Sequence, residues 1–444
     1  MLKVSMTSLG CAKNLIDSEL MLGQLKSAGY EPVNDPLQAD LILVNTCGFI
    51  GPAKKESIET ILAMAEVKKQ TGCRLIVAGC LTERYRSDLE RDLPEVDGFL
   101  SLREIYQIDQ LCRRLGMNPP REVDPAFYTQ PYLFRYMTTP PHLAYLRISD
   151  GCDNRCSYCA IPSIRGKFRS RSIGGILTEA RRLVDQGVKE LMLIAQDLNR
   201  YGSDQSPETN IETLLKELCK IDQLPRIRIF YTHPAHYSEG FIEIIASEKK
   251  ICNYLDIPLQ HINDDMLRLM RRKTTAKSQK QLLWRLREQI PGIVIRTTML
   301  VGMPGEKRRY FNELIRFMEE FQFDKLGAFA YSPEEGTPAY SFPNPVSERA
   351  KNRRLDELMA TQQAISYEVH KRLRGERLSV LIDEYSEEEA RWVGRSYRDA
   401  YEIDGLVKIT LSCKPDMRPL RAGEFVDVRI TDSDAYDLTG ELVA

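Results

Sequence analysis

Three cysteines within eight residues, Cys152, Cys156 and Cys159, form a C-x-x-x-C-x-x-C run just after an apolar stretch. Thiolates at this spacing can close around a single metal centre. A structural zinc site wants a fourth ligand, and no Cys or His stands nearby at finger-like spacing. An iron–sulfur cluster held by three thiolates leaves one iron without a protein ligand, open to a substrate or cofactor. A zinc knuckle or a buried cysteine group is the alternative, and it leaves the preceding strand unexplained. A second set is scattered: Cys11 follows Gly10, Cys47 precedes Gly48 and Cys80 follows Gly79, each after a strand-like stretch. Glycine lets backbone approach a bulky group closely, and carboxyl ends of neighbouring parallel strands converge, so three distant residues can meet. Spacing alone equally suits three buried core cysteines. Cys73, Cys112, Cys219, Cys252 and Cys413 lack this context and read as structural.

The elements that must position these groups are legible from periodicity. Strands are expected at Lys3–Leu9, Asp40–Asn45 and Arg74–Ala78, with helices at Leu15–Ala28 and Lys54–Lys69 between them. That alternation predicts a parallel sheet faced by helices. No G-x-G-x-x-G and no G-x-x-x-x-G-K-[ST] occurs, so a phosphate-cradling loop is not signalled. The proline- and aromatic-rich stretch Asn118–Pro141 reads as a linker. Six further strands follow: Ala144–Ser149, Glu190–Ala195, Arg226–Tyr231, Tyr254–Ile257, Ile293–Val301 and Lys325–Ala330. Helices between them, such as Leu177–Gln186 and Tyr310–Phe321, imply a partial (β/α)6 barrel, with chemistry at the carboxyl ends of its strands. Ser347–Arg374 reads as a long helix. Short strands at Leu378–Glu384, Trp392–Ser396, Leu406–Leu411 and Phe425–Ile430 then predict a small all-β barrel. The chain is α/β overall, and the boundaries fall at 1–132, 133–376 and 377–444.

The chain has 444 residues and a formal net charge of −1, a length that suggests about three domains. Eleven cysteines are too few for a disulfide scaffold. The first ten residues lack a long apolar core, and apolar runs such as Leu41–Val44 are strand-sized, far short of a bilayer span. A reduced, cytoplasmic setting without membrane contact is the expectation.

The Cys152–Cys159 motif after a strand, inside this barrel order, resembles the radical S-adenosylmethionine (SAM) superfamily. The resemblance implies a [4Fe–4S] cluster on Cys152, Cys156 and Cys159. Its open iron would bind SAM, whose one-electron cleavage gives a hydrogen-abstracting 5′-deoxyadenosyl radical. The whole layout resembles the methylthiotransferases, whose third domain is a TRAM/OB-like barrel. Carried over, Cys11, Cys47 and Cys80 bind a second [4Fe–4S] cluster through which sulfur passes. A second SAM molecule supplies the methyl group. The segments Ser8–Glu19, Asn45–Ile50 and Cys159–Arg171 are similar to the branch that modifies the β-carbon of an aspartate in ribosomal protein uS12 rather than an anticodon-adjacent tRNA adenosine. The implied partners are uS12, free or in the small subunit, and a reductant such as flavodoxin or ferredoxin.

Further residues are candidates by position. Tyr158 in the cysteine loop, Gln260, Arg296, Gly302 and Glu306 at strand ends could meet the cofactor. Arg165, Lys167, Gln196 and Asp197 could meet the substrate, Arg165 and Lys167 alternatively neutralising an anionic cluster. Charge separates the domains. Residues 1–132 carry 15 basic and 18 acidic side chains, 133–376 carry 38 and 30, and 377–444 carry 9 and 15. An RNA-gripping barrel would be basic; a barrel of net −6 suits a basic protein, so tRNA fits less well than uS12.

Overall fold

The computed structural model describes residues 2–410 and 420–443; Cys413 and Leu411 lie outside them. Backbone contacts divide the chain into two units. One comprises Met1–Thr139, Arg147–Arg182 and Ser332–Tyr340; the other comprises Pro140–Leu146, Leu183–Tyr331 and Ser341–Ala444.

In the first unit, alternating apolar residues build a sheet buried on both faces. Leu41, Leu43, Ile76 and Ala78 enter one core, and Ile42, Val44, Leu75 and Val77 enter another. This is the period-two alternation of a strand with both faces covered. The sheet has five strands, in the order Glu31–Pro32, Lys3–Ser8, Leu41–Thr46, Arg74–Gly79 and Gly98–Leu100. All its pairs are parallel. The helix Ala12–Ser27 contributes Met21, Leu22 and Leu25 to the first core, and the helix Gly51–Thr71 contributes Ile61 and Ala65 to the second. Gly72, at φ +74°, ends the latter helix in the left-handed conformation that favours glycine. The stretch expected to be a linker holds only a four-residue helix, Ala126–Thr129, and a 3-10 turn, Pro131–Phe134. It is nevertheless a packed strap: Phe127 is wholly buried in the first core, and Arg135 pairs with Glu19 and Glu179. Its prolines remove regular hydrogen bonding, but its aromatics supply burial.

In the second unit, six strands lie side by side in chain order: Leu143–Arg147, Glu190–Ile194, Arg226–Ile229, Ile251–Asp256, Val294–Val301 and Lys325–Ala330. From Glu190–Ile194 onward every pairing is parallel. Each connection steps one place in the same direction, which curls the sheet toward a barrel without closing it. Side chains start the crossover helices. Asn210 accepts from the Thr213 N–H, Ser238 from the Phe241 N–H, and Thr275 and Ser278 form a capping box. The long helix spans Glu348–Lys371.

The carboxy-terminal strands Arg377–Ser386, Arg391–Arg395, Val407–Thr410, Leu438–Leu442 and Phe425–Ser433 form a closed barrel in that order. Leu438–Leu442 was not foreseen, because Gly440 and the flanking acidic residues mask its alternation. Gly440 is required there: a Cβ would lie 2.4 Å from Val428 Cγ1. Buried charges tie this barrel to the six-stranded sheet. Glu190 receives Arg228 at 2.7 Å and Arg395 at 2.8 Å, Arg395 also holds Asp383, and His142 meets Asp383 at 2.9 Å. Burial opposes ionisation of Glu190, but the Arg395 and Arg228 charges win and hold its carboxyl at about 2. Among the described residues no helix is long and apolar enough to cross a membrane.

Candidate functional site

Cys11, Cys47 and Cys80 come from the carboxyl ends of three neighbouring strands of the first sheet. Cys11 is the residue before the helix Ala12–Ser27, and Cys80 opens the helix Cys80–Asp92. Helix amino termini favour negative charge, so both positions suit thiolates. Cys11 makes no side-chain cap, which leaves its thiol available. Cys47 is anchored through its backbone, its N–H donating to Ser57 Oγ and its carbonyl accepting from the same hydroxyl, both at 3.0 Å.

The glycines beside these cysteines leave no room for a side chain. A Cβ on Gly10 would lie 2.9 Å from Cys47 Cβ and 3.1 Å from its Sγ; one on Gly48 would lie 2.7 Å from the Cys80 carbonyl. Gly10 has φ +89°, a conformation that other residues rarely adopt. The thiols also feel one another. Burial pushes the Cys80 thiol up to about 12; Arg165 pulls it down, and Cys11 and Cys47 push it further up. Burial likewise raises Cys47. Cysteines placed after three neighbouring strand ends, two of them with thiols that burial keeps protonated, are donors whose deprotonation a bound iron–sulfur centre would drive.

Around them stands a polar frame in which only Arg165 is a candidate by sequence. Asn14 Nδ2 donates to the carbonyls of Leu9, Asn45 and Thr46, and Asn45 Nδ2 donates to the Asn14 carbonyl and to Ser18 Oγ. The Cys80 thiol faces Asn14 Oδ1 at 3.8 Å. Arg165, in the short helix Ile161–Arg165, is buried; its Nη2 lies 2.8 Å from Asp17 Oδ2 and 3.8 Å from Cys80 Sγ. Burial opposes its charge, but Asp17 and Asp150 raise its pKa. Asp17 also binds Arg147 at 2.6 Å. Arg165 is thus a fixed cation beside Cys80. The available signal for Asn14 and Asp17 was their place one and two helical turns beyond Cys11.

The same unit holds Cys152, Cys156 and Cys159 in an irregular loop with Tyr158, which is half-buried. The loop is closed by backbone bonds: Cys152 N–H donates to the Gly166 carbonyl, Cys159 N–H to the Cys156 carbonyl, and Ala339 N–H to the Ser157 carbonyl. Asp153 accepts from the Phe168 N–H at 3.1 Å. Gly151 has φ +76°, and a Cβ there would strike the Lys167 carbonyl at 2.1 Å. Lys167 itself is exposed.

The second unit carries the remaining candidates. Glu306 is buried, and its carboxylate accepts from the Gly302 N–H at 2.6 Å, from His261 and from Arg354. His261 Nδ1 accepts two backbone N–H groups, so Nε2 bears the proton that reaches Glu306. Glu306 therefore holds the turn after Val294–Val301. Gln260, at φ +71°, bridges that strand by backbone bonds to Thr298 and Leu300. Arg296 was expected at a strand end. It is the third residue of its strand, because Val294–Val301 runs five residues past it, and it pairs with Asp256 at 2.9 Å. Gln196 and Asp197 do follow a strand, Glu190–Ile194. Asp197 is buried and meets His236 at 3.1 Å, His236 stacks on His233, and His233 exchanges hydrogen bonds with Asn199. Burial and Arg272 hold His233 neutral, at about 2. These histidines went unnoticed because neither stands in a recognisable motif.

Comparison with known proteins adds kinship. Residues 3–101 match the uncharacterized protein family UPF0004, 146–318 the radical SAM superfamily and 375–443 the TRAM domain. The chain is 46% identical to the ribosomal protein uS12 methylthiotransferase RimO of Geobacter sulfurreducens, over 100% of this chain and 99% of the relative. It is 43% identical to the protein of that name from Clostridioides difficile, again over 100% and 99%. In fold it is similar to the radical SAM methyltransferase TsrM of Kitasatospora setae, with TM-score 0.57, 15% identity, and 85% and 80% of the two chains covered. With three matched domains in order and full-length identity at this level, the chain belongs to the RimO family of radical SAM methylthiotransferases.

Proposed function

We propose that this protein is the uS12 methylthiotransferase of its cell, replacing one hydrogen on the β-carbon of an aspartate of ribosomal protein uS12 by a methylthio group. The observation that supports the reading is that Cys11, Cys47 and Cys80 each follow the carboxyl end of one of three neighbouring strands, in a chain whose full-length relatives bear that name. Membership in the radical SAM superfamily implies one [4Fe–4S] cluster and SAM, which when bound supply hydrogen abstraction from an unactivated carbon.

The residues of this chain prepare that chemistry. Cys152, Cys156 and Cys159 would hold the radical cluster, their loop shaped by Gly151 and by the backbone bonds to Gly166 and Ala339. Cys11, Cys47 and Cys80 would hold a second [4Fe–4S] cluster, with Arg165 offsetting its negative charge. In the second unit, Gly302, kept in place by Glu306, and Gln260 would present backbone and amide groups to SAM, with Arg296 acting there through Asp256; Tyr158, in the first unit's loop, is a separate cofactor-contact candidate. In the second unit, Gln196 and Asp197, the latter oriented by His236, would face the substrate; in the first, Lys167 is a separate candidate cation for its carboxylate. The acidic barrel would dock the basic ribosomal protein, and a reductant such as flavodoxin or ferredoxin would deliver electrons. Acting on a ribosomal protein, the enzyme would work in the cytoplasm.

The test is to react the reconstituted protein with SAM, reductant and sulfide in the presence of uS12 or of tRNA, and to weigh both products. The expected result is uS12 heavier by one methylthio group in place of one hydrogen, located on an aspartate. Methylthiolated tRNA with unchanged uS12 would overturn the reading.

A further inference from the structure

The first unit contains a cleft of about 780 Å³; its Arg165 and Lys167 have roles in the proposed function, whereas its Arg103, Arg169 and Ser149 have none. Six basic residues line it, Arg103, Arg147, Arg165, Lys167, Arg169 and Arg171, against two acidic ones, Asp17 and Asp150. The floor is rigid and neutralised: Arg147 and Arg165 both bind Asp17, and Arg165 reaches Asp150 at 3.5 Å. One wall is Arg171, which pairs with Glu179 at 2.6 Å and lies 3.4 Å over the Tyr132 ring. The rim differs. Lys167 and Arg169 are exposed and have no acidic partner among the described residues. Ser149, also in the lining, is wholly buried, and its Oγ has no hydrogen-bond partner. A buried hydroxyl without a partner is unfavourable unless something meets it.

We propose that this cleft is an anion site that takes a tetrahedral oxyanion of sulfate or phosphate type, held by Lys167, Arg169 and the Ser149 hydroxyl. Charge decides the sign of the ligand, since two unneutralised cations face the same space. Geometry decides its kind. Arg171 and Arg147 already lie over the Tyr132 ring, so that ring is engaged by guanidinium groups, and the recognition proposed is of charge and hydrogen bonding. The cleft also shares Arg165 with Cys80, so its occupant lies one guanidinium away from the amino-terminal cysteine site. The proposal stands on these residues alone and does not depend on the substrate being uS12.

The test is isothermal titration calorimetry of the reconstituted full-length protein at fixed ionic strength, first with sodium sulfate and inorganic phosphate, then with a short single-stranded RNA. Saturable one-to-one binding of the inorganic dianion is expected, weakened about tenfold or more in K167Q/R169Q and more modestly in S149A. Both rim side chains are exposed and unpaired, so the double variant should fold, which its melting curve checks. Sulfate binding that RNA cannot displace identifies a free anion as the occupant. RNA that binds in competition with sulfate identifies a nucleic-acid phosphate. Absence of saturable binding by either probe, or binding unchanged in K167Q/R169Q, overturns the proposal.

Discussion

Cys152, Cys156 and Cys159 sit in one irregular loop, and their mutual approach is set by seven consecutive peptide bonds and the backbone bonds that close the loop. Cys11, Cys47 and Cys80 come instead after three strands, and their placement is set by sheet order, by Gly10, Gly48 and Gly79, and by the Asn14–Asn45 frame. The first set is a local solution, the second a topological one. The difference teaches that three cysteines can be placed in a way that is robust to distant mutation in one region and sensitive to it in another. The loop needs its own residues; the strand-end set needs the whole parallel sheet to hold register.

The sharpest way to break the comparison is to remove each set in turn. Changing Cys152, Cys156 and Cys159 to alanine should abolish reductive SAM cleavage, read as loss of 5′-deoxyadenosine. Changing Cys11, Cys47 and Cys80 should leave that cleavage in place and abolish methylthiolation, read by product mass. Next in size, Asp17→Asn strips the shared partner from the buried Arg147 and Arg165 beside Cys80. It should cost about 3–5 kcal/mol in denaturant titration. Glu190→Gln should cost a similar amount in the second unit, where it would strand Arg228 and Arg395. The wild type should show the matching pH effect. The folded Glu190 carboxyl is held at about 2 against an ordinary 4.5, so its contribution is present above pH 4.5 and is lost as pH falls from there toward 2. Gly48→Ala should be smaller, about 1–3 kcal/mol for a Cβ forced against the Cys80 backbone. It should lower iron content at the strand-end site and spare SAM cleavage. Smallest is Cys112→Ala: Cys112 is packed in the apolar core, so about 1 kcal/mol should be lost, with iron content unchanged.

How much of this was legible in the sequence follows the same division. The loop motif is visible because its three cysteines share one stretch of chain. The six parallel strands are visible because runs such as Leu191–Ala195 are continuously apolar, as a strand covered on both faces must be. The strand-end cysteines were legible only as positions after strands; their meeting depends on Lys3–Ser8, Leu41–Thr46 and Arg74–Gly79 being neighbours, which no local pattern states. Arg165 was read as either a cluster neutraliser or a substrate contact, and its buried partners Asp17 and Cys80 lie 148 and 85 residues away in sequence. The strand Leu438–Leu442 was missed because it is defined by pairing with Val407–Thr410 and Phe425–Ser433 more than by its own composition. His233 and His236 escaped for the same reason, since their partners Asn199 and Asp197 are supplied by another strand end.

The claim that two separate cluster sites exist on one chain is tested most directly by iron and sulfide analysis of the reconstituted protein beside its two triple-alanine variants. The account predicts about eight irons per chain in the wild type and about four in each variant, one [4Fe–4S] cluster lost with each set. About four irons in the wild type, unchanged when Cys11, Cys47 and Cys80 are removed, would contradict it.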